Sequence, residues 1–391
     1  MIIKKIKLHN WKNFQDCEVN LTERCFIVGA NASGKSNLID ALRFLRDVSK
    51  QSGGLQSAVE DRGGITKIRC LAARTHTNVS ITVELGNPEE EANIWKYHLD
   101  FKHTGGGIKK SQVKIISEEV FSYAKNDFVL IRNSSTDKED EETLKYTNLE
   151  QVNANKDFRE LQTFFQDIEY LNVVPQLVRE SASIAHSQAK EDYYGRNFLE
   201  RLAKMNERTR KSYFKKINDI LKIAVPQLKE LSFVKDPMGV PHIEARYIHW
   251  RAKGSKQQEA QFSDGTLRLI GFLFALIDNN GVILLEEPEI NLHSGIITQL
   301  PEFMAKIQRS KKTASQILTT THSYDMLSSQ GISPEEVLLL QTTPEGTSVK
   351  KVSAISEIKP IIEAGLTIAD AVIPLTQPKD IQKISQLSMN L

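Results

Sequence analysis

Two short stretches carry residue types that do chemistry only in company. In GVILLEEPEINLH, Gly281 to His293, a run of branched apolar residues from Val282 to Leu285 ends abruptly in Glu286 and Glu287. Such a run reads as a strand buried on both faces, as in the middle of a parallel sheet. Neighbours on a strand point to opposite faces, so one acid can hold a cation while the other polarises a water in a separate cavity. An isolated pair of glutamates would more simply be a strand entering an acidic surface loop. The second stretch decides against that. GANASGKS, Gly29 to Ser36, matches G-x-x-x-x-G-K-[ST] in full, with a short apolar strand (Phe26 to Val28) before it. After it, NLIDALRFLRDV carries Leu38, Ala41, Leu42, Leu45 and Val48 at helical spacing. The glycines let backbone N–H groups curl around phosphates at a helix N-terminus, Lys35 supplies charge to β/γ oxygens, and the Ser36 hydroxyl can ligate Mg²⁺. Gly29, Asn31, Ser33, Gly34, Lys35, Ser36 and Asn37 are the candidate phosphate-binding residues.

Further candidates sit at element ends. Ser263, Asp264 and Gly265 precede a helix read from Phe262, Leu267, Ile270, Leu273 and Phe274. A hydroxyl and a glycine there can present backbone N–H groups and a helix dipole to an anion, although S-D-G alone is also an ordinary helix cap. QILTTTHS gives a further buried strand ending at His322, and ligands gather at strand tips along one edge of a parallel sheet. A histidine there is as often a hydrogen-bonded core residue. Lys12, in the WKNF turn, lies two strands from the phosphates and could reach a nucleotide, although an exposed turn lysine usually does nothing.

The elements must bring these together. At 391 residues the length allows two or three domains, yet the P-loop and the acidic strand are about 250 residues apart and must meet at one nucleotide. One composite unit with an insertion follows. Hydrophobic content of 40% and charged content of 26% suit a soluble globular chain, and a net charge of +2 excludes a polyanion binder by overall charge while leaving room for a local patch. Cys17, Cys25 and Cys70 show no C-x-x-C spacing, so reduced thiols are the plain reading. The N-terminus lacks a signal-peptide core, and the best apolar run, Leu267 to Ile277, is short and carries Arg268. The expected compartment is the cytoplasm, with no membrane association.

In order, alternation at Ile2, Ile3, Ile6 and Leu8 and then CEVNL predicts an antiparallel pair leading into the P-loop strand. After a turn at DRGG, the stretches NVSITVEL, WKYHLDF, QVKIISEEVFSY and DFVLI predict a meander to about Arg132. Asn133 to Lys145, almost free of large apolar groups, reads as an exposed, mobile loop. From about Lys156 to Ala224 the period turns helical. One unbroken helix is expected over RNFLERLAKMNERTRKSYFKKINDILKIA, with an apolar line at Phe198, Leu202, Met205, Tyr213, Ile217 and Leu221. Arg201, Lys204, Arg208, Lys211 and Lys215 would share one stripe beside it, either a surface for nucleic-acid phosphates or an acidic partner, or a solvated helix flank. Leu231 to Trp250 return to strand with a turn at DPMG, KGSKQQEAQ is a polar loop, Gly295 to Ile307 a helix, and the tail a β pair and a last helical piece.

In this order and at these separations, GANASGKS, FSDGT, VILLEEPEINLH and TTTHS resemble the ABC-type ATPase heads of the RecF, SMC and OLD families, most of all the stand-alone bacterial ATPases with an EEPExxLH strand. The resemblance covers nearly the whole chain. It implies an α/β fold, a P-loop NTPase of ABC type with a mixed central sheet, an antiparallel β subdomain and a helical insertion. Residues 1–150 would form the N-terminal half of the head, 151–225 the insertion and 226–391 the C-terminal half. It further implies ATP and Mg²⁺ as ligands: Lys35 and Ser36 on phosphate and metal, Glu286 as the Walker B acid, Glu287 as general base, and His322 as the switch histidine. Ser263 and Gly265 would act in trans on the ATP of a second head. Glu286 stands where many relatives carry Asp, and the Q-loop has only Gln166 and Gln176 as candidates. The roughly 70 residues beyond His322 leave no room for the Toprim nuclease that OLD proteins carry after the head.

Such a composite site is a clamp: ATP binding would assemble a homodimer of heads or a higher oligomer, and hydrolysis would release it. The resemblance implies a sensor or regulator of a separately encoded effector, a nuclease or toxin, in anti-phage defence. A RecF-like DNA-binding repair ATPase and a non-hydrolysing ATP-bound scaffold are the alternatives.

Overall fold

The computed structural model describes residues 1–74, 77–104, 112–179, 195, 197–248 and 255–377. Its strands in chain order are β1 (Ile2–Trp11), β2 (Phe14–Asn20), β3 (Arg24–Gly29), β4 (Val79–Gly86), β5 (Asn93–Thr104), β6 (Gln112–Ser122), β7 (Asp127–Asn133), β8 (Glu169–Leu171), β9 (Leu228–Lys235), β10 (Pro241–Tyr247), β11 (Ser255–Gln258), β12 (Val282–Glu286), β13 (Gln316–Thr321), β14 (Val337–Thr343) and β15 (Gly346–Lys351). The chain divides into two compact units, Met1–Glu169 with Asn280–Leu284 and Lys311–Leu391, and Tyr170–Asn279 with Leu285–Ser310. These bounds do not coincide with the three segments read from sequence.

The first unit holds two six-stranded sheets. One is an antiparallel meander in the order β2-β1-β4-β5-β6-β7, and the other has the order β15-β14-β3-β13-β12-β8. In the meander the expected alternation holds for most of its length: Ile6, Leu8, Val83, Ile81, Tyr97, Leu99 and Val120 are buried, while Lys7, His98 and Glu119 beside them are more exposed. In the second sheet β3 runs parallel to both β13 and β14, and β3, β12 and β13 are buried on both faces almost throughout. The helix Lys35–Val48 buries Leu38, Ile39, Leu42 and Leu45 and touches β3 and β13. Its Phe44 meets Trp11 of β1 at 5.1 Å between ring centroids and Phe101 of β5 at 5.4 Å. This aromatic stack ties the P-loop helix to the meander.

A charged knot beside this stack fixes the same helix, with the Arg62 guanidinium 5.2 Å from the Phe44 ring centroid. Arg62 donates to both oxygens of Asp40 at 3.0 Å and to Asp47 at 2.9 Å, and the Lys12 ammonium lies 2.7 Å from Asp40. Burial works to raise the Asp40 carboxyl, but the charges of Arg62 and Lys12 outweigh it and hold the group below its ordinary value. Lys12 is thus in an ion pair at the turn.

In the second unit β9, β10 and β11 form an antiparallel sheet. The helix Asp264–Asp278 buries nine residues, and its Phe274 packs edge-on against Phe198 at 5.2 Å.

Several local expectations are corrected. The long helix is two, Phe198–Lys204 and Glu207–Ala224, because Met205 is extended and the Asn206 side chain caps the second by accepting from Arg208 N–H. Phe214 rather than Tyr213 fills the apolar line. The five cations are therefore divided between two helices, Arg201 and Lys204 on the first and Arg208, Lys211 and Lys215 on the second, and Arg201 pairs with Asp278, Lys204 with Glu200 at 2.9 Å, and Lys211 with Glu207 at 2.7 Å. The helix Arg159–Gln166 belongs to the first unit. Within KGSKQQEAQ, residues Ser255–Gln258 form β11, and the residues 249–254 read as strand end and loop lie outside the described residues. The Gly295 to Ile307 helix is split into Ser294–Ile297 and Leu300–Ser310. The acidic stretch after β7 is anchored rather than loose, since buried Arg132 donates to the carbonyls of Thr143 and Tyr146 at 2.9 Å each and Leu144 is fully buried.

Beside that anchor, Glu150 accepts from Leu55 N–H at 2.7 Å at the start of the helix Gly54–Glu60. Burial, with the nearby charge of Glu118 and against the Leu55 hydrogen bond, pushes its carboxyl from 4.5 up to about 7. A group whose pKa is raised on folding stabilises fully below its unfolded value, and that contribution is lost as pH rises through the folded value. The stability gained by Glu150→Gln over the native chain should thus be larger at pH 8 than at pH 4.5. Thermal melts at the two pH values check this, and an equal difference at both would contradict it.

Candidate functional site

Two of the sequence-derived positions leave one sheet at one edge. β3 and β13 are parallel neighbours with Val28 opposite Thr321, so the P-loop and His322 emerge side by side. β12 lies next to β13, and Gln316 N–H donates to Gly281 O at 3.0 Å, so these two strands also start at the same edge. Glu286 is the last residue of β12.

The P-loop is held in a cradle. Ala32 (φ 62°) and Gly34 (φ 96°) take left-handed backbone, which turns successive amides toward a common side. Lys35 is 8% exposed, and its ammonium donates to Gly29 O at 2.9 Å and Ala30 O at 3.2 Å. Those carbonyls belong to the loop itself, so the cation sits where phosphate oxygens would compete for it. Asn31 and Ser36 are exposed and Gly29 is buried, where a Cβ would lie 2.7 Å from Leu340 O. Ser33 is fully buried, and its hydroxyl has no hydrogen-bond partner among the described residues. The Asn37 side chain donates to Asn13 Oδ1 at 2.8 Å, so it braces the loop from behind.

His322 is exposed at the end of β13, and the next residue, Ser323, caps a short helix by accepting from Met326 N–H at 3.2 Å. Among the described residues no group of three or more His, Cys, Asp or Glu side chains could hold a metal ion by itself. Mg²⁺ bound to nucleotide needs only one or two protein ligands beside phosphates and water. The cradle, the buried lysine and the exposed Ser36 fit a magnesium nucleotide.

The other candidates are counted with the second unit. Glu286 and Glu287 are half-buried. Strand alternation stops at Glu286, because Glu287 has φ 41° and opens a turn in which Ile290 N–H donates to Glu287 O at 3.2 Å. The reading that the two acids point apart as strand neighbours therefore needs this turn instead. A left-handed glutamate costs about 1–2 kcal/mol, a strain that tends to collect at working positions.

Ser263 is exposed and caps the helix Asp264–Asp278, accepting from Thr266 N–H at 3.2 Å. Gly265 has its own local reason: a Cβ there would stand 2.3 Å from Asn291 O, in the turn that follows Glu287. The serine-glycine turn and the acidic turn thus touch each other. Arg179 fixes the former through Asp264 Oδ1 at 2.5 Å and Phe262 O at 2.6 Å. Of the two glutamine candidates, Gln166 donates to Ser49 O at 2.7 Å and ties helix ends, while exposed Gln176 reaches Asp264 Oδ2 at 3.4 Å.

Two residues escaped the sequence reading. Arg268, which served there only to interrupt an apolar run, is pulled down by burial and pushed back by the carboxylates of Asp264, Glu287 and Glu289. A lone arginine in an otherwise apolar helix was the available signal. Asn13 was hidden in the WKNF turn beside Lys12, and no pattern marks it.

The comparisons with known proteins agree with this geometry. The family model described as "AAA domain, putative AbiEii toxin, Type IV TA system" matches residues 25–328, and "P-loop containing region of AAA domain" matches residues 3–46. A DNA replication and repair protein RecF from Gloeobacter violaceus is 27% identical over 144 residues, a match that spans 36% of this chain and 36% of that protein. The crystal structure of an SMC head bound to the C-winged helix domain of ScpA superposes with a TM-score of 0.52 at 15% identity, over 90% of this chain and 98% of the other. The SMC head with an extended coiled coil from Pyrococcus furiosus, bound to the C-terminal domain of ScpA, gives 0.52 at 14% identity, over 93% and 99%. The fold is that of these heads.

The strain at Glu287 is testable. Glu287→Gly should raise stability by up to about 1 kcal/mol, because glycine accepts φ 41° without penalty, whereas Glu287→Ala should give no such gain. Denaturant unfolding of both variants checks this; equal stabilities would contradict it.

Proposed function

Since the chain belongs to the AAA domain family whose model spans residues 25–328, we propose that it binds ATP with Mg²⁺ and hydrolyses it, and that the ATP-bound form pairs with a second copy. The observation that carries this reading is the phosphate cradle with Lys35 held on the carbonyls of Gly29 and Ala30 beside His322. The loop amides from Asn31 to Ser36 bind the β-phosphate, Lys35 shifts to the β/γ oxygens, and Asn37 supports them. Ser36 and Glu286 would hold Mg²⁺, which neutralises charge on the β and γ oxygens when bound. Glu287 accepts a proton from the attacking water, and His322 senses the γ-phosphate by hydrogen bonding. Exposed Ser263, with Gly265 at a helix N-terminus, closes on the nucleotide of the partner head.

ATP then acts as the adhesive between two heads, since a ligand shared by two copies stabilises the dimer by mass action and its hydrolysis removes that gain. A switch of this kind gates something else. The proposed output is control of a separately encoded effector, a nuclease or toxin, in defence against phage; the family's description names a toxin of a toxin–antitoxin system. The proposed compartment is the cytoplasm, on the reduced-thiol reading of Cys17, Cys25 and Cys70, all buried and free. No helix among the described residues is long and apolar enough to cross a membrane.

The RecF match favours a second reading, a DNA-binding ATPase in recombinational repair. Arg210, Lys211, Lys215, Lys222 and Lys229 line a cavity of about 700 Å³ together with Glu207, Asp219 and Glu230, a small basic excess that supports an anionic partner there. Because the match covers only about a third of that relative, its activity is carried over as an alternative only.

Steady-state phosphate release tests the catalytic part. Glu287→Gln should lower kcat by about 10²–10⁴-fold while keeping ATP binding, and Lys35→Ala should lose binding. A measurable rate unchanged in Glu287→Gln would move the base elsewhere, and no phosphate release from the native chain would leave the protein a non-hydrolysing scaffold. Salt-sensitive binding of a DNA duplex that falls on replacing Lys215 and Lys229 by Glu would favour the repair reading, and salt-insensitive or absent binding would count against it.

A further inference from the structure

The turn between β1 and β2 and the hairpin between β14 and β15 meet on the P-loop through one side chain. Asn13 Nδ2 donates to Ser33 O at 3.0 Å and to Thr347 Oγ1 at 2.6 Å, while its Oδ1 accepts from Asn37 Nδ2 at 2.8 Å. The Asn13 backbone carbonyl accepts from Thr347 N–H at 2.9 Å, and Thr347 Oγ1 donates in turn to Ser33 O at 2.9 Å. Both hydrogens and one lone pair of the amide are thus in use, and the Ser33 carbonyl accepts twice. The contact is close enough to dictate sequence. A Cβ on Gly34 would lie 2.0 Å from Asn13 Nδ2, and one on Gly346 2.5 Å from Asn13 O. From the same side, Trp11 Nε1 donates to Asn37 O at 2.8 Å.

We propose that Asn13, with Thr347 as its co-partner, is the positioning residue that sets the P-loop for phosphate. In a trans peptide the carbonyl of residue 33 and the N–H of residue 34 point in opposite directions. Two donors that hold Ser33 O on the outside of the loop therefore direct Gly34 N–H to the inside, where a phosphate oxygen would sit. An aspartate at position 13 would turn an acceptor toward Ser33 O and reverse this preference, and an alanine would leave the peptide free to rotate. The device also couples the loop to the tip of the β14–β15 hairpin, distant in sequence, so displacement of that hairpin loosens the nucleotide site.

This proposal rests on the ATP reading, and the experiment separates the two. Affinity of the full chain for a fluorescent ADP and a fluorescent ATP analogue is measured with Mg²⁺, alongside KM and kcat for ATP and a thermal melt. Asn13→Ala should weaken ADP and ATP by the same factor, about tenfold, because both carry a β-phosphate, with the loss falling on KM rather than kcat. Thr347→Val should weaken both about threefold and Thr347→Ser should recover the loss, since serine keeps the hydroxyl. A folded Asn13→Ala with native affinity overturns the proposal, as does a lowered melting temperature with KM unmoved. If Asn13→Ala fails to fold, equal affinities of the Val and Ser variants overturn it instead. If the native chain binds neither nucleotide, the ATP reading itself falls.

Discussion

A buried ammonium must find oxygen, and the first unit is arranged around where Lys35 finds it. At 8% exposure the group cannot rely on water, and the loop offers the carbonyls of Gly29 and Ala30. That geometry exists only because Ala32 and Gly34 adopt left-handed backbone and because the loop follows a strand flanked on both sides by parallel neighbours. Trp11, Phe44 and Phe101 hold the following helix against the meander, and Arg62 with Lys12 neutralises Asp40 on the same helix. Remove either support and the helix that orients Lys35 loses its fixed position.

The second unit concentrates its cost in one turn. Glu287 takes left-handed backbone, Asn291 does so four residues later, and Gly265 is pressed against the Asn291 carbonyl. The carboxylates of Asp264, Glu287 and Glu289 all act on the charge of Arg268, against the burial that disfavours it. Strain and charge placed together without an evident gain in stability are what a working site leaves behind.

Much of this was legible in the chain. The P-loop, the meander and the buried strands β3, β12 and β13 follow from motif spacing and apolar period, because local backbone chemistry dictates them. The misses have a common cause, which is that a single side chain overruled the pattern. Asn206 captured Arg208 N–H and broke a helix whose apolar spacing ran on through it. Leu144 and Arg132 anchored a segment whose composition looked loose. Asn13 acquired its role from Thr347, a partner 334 residues away, which no periodicity encodes. Lys12, one residue before, was captured by Asp40. In the candidate site the motif residues were readable, whereas the residues that hold them were not, since those contacts are tertiary.

The most direct measurement of the central claim is a crystal structure of the Glu287→Gln variant grown with ATP and Mg²⁺. A triphosphate should lie in the P-loop, with Lys35 moved from the Gly29 carbonyl onto it, Glu286 at the metal, and Ser263 of a second copy against the γ-phosphate. A nucleotide bound away from the loop, or a loop filled by one copy with position 287 remote from the γ-phosphate, would contradict it.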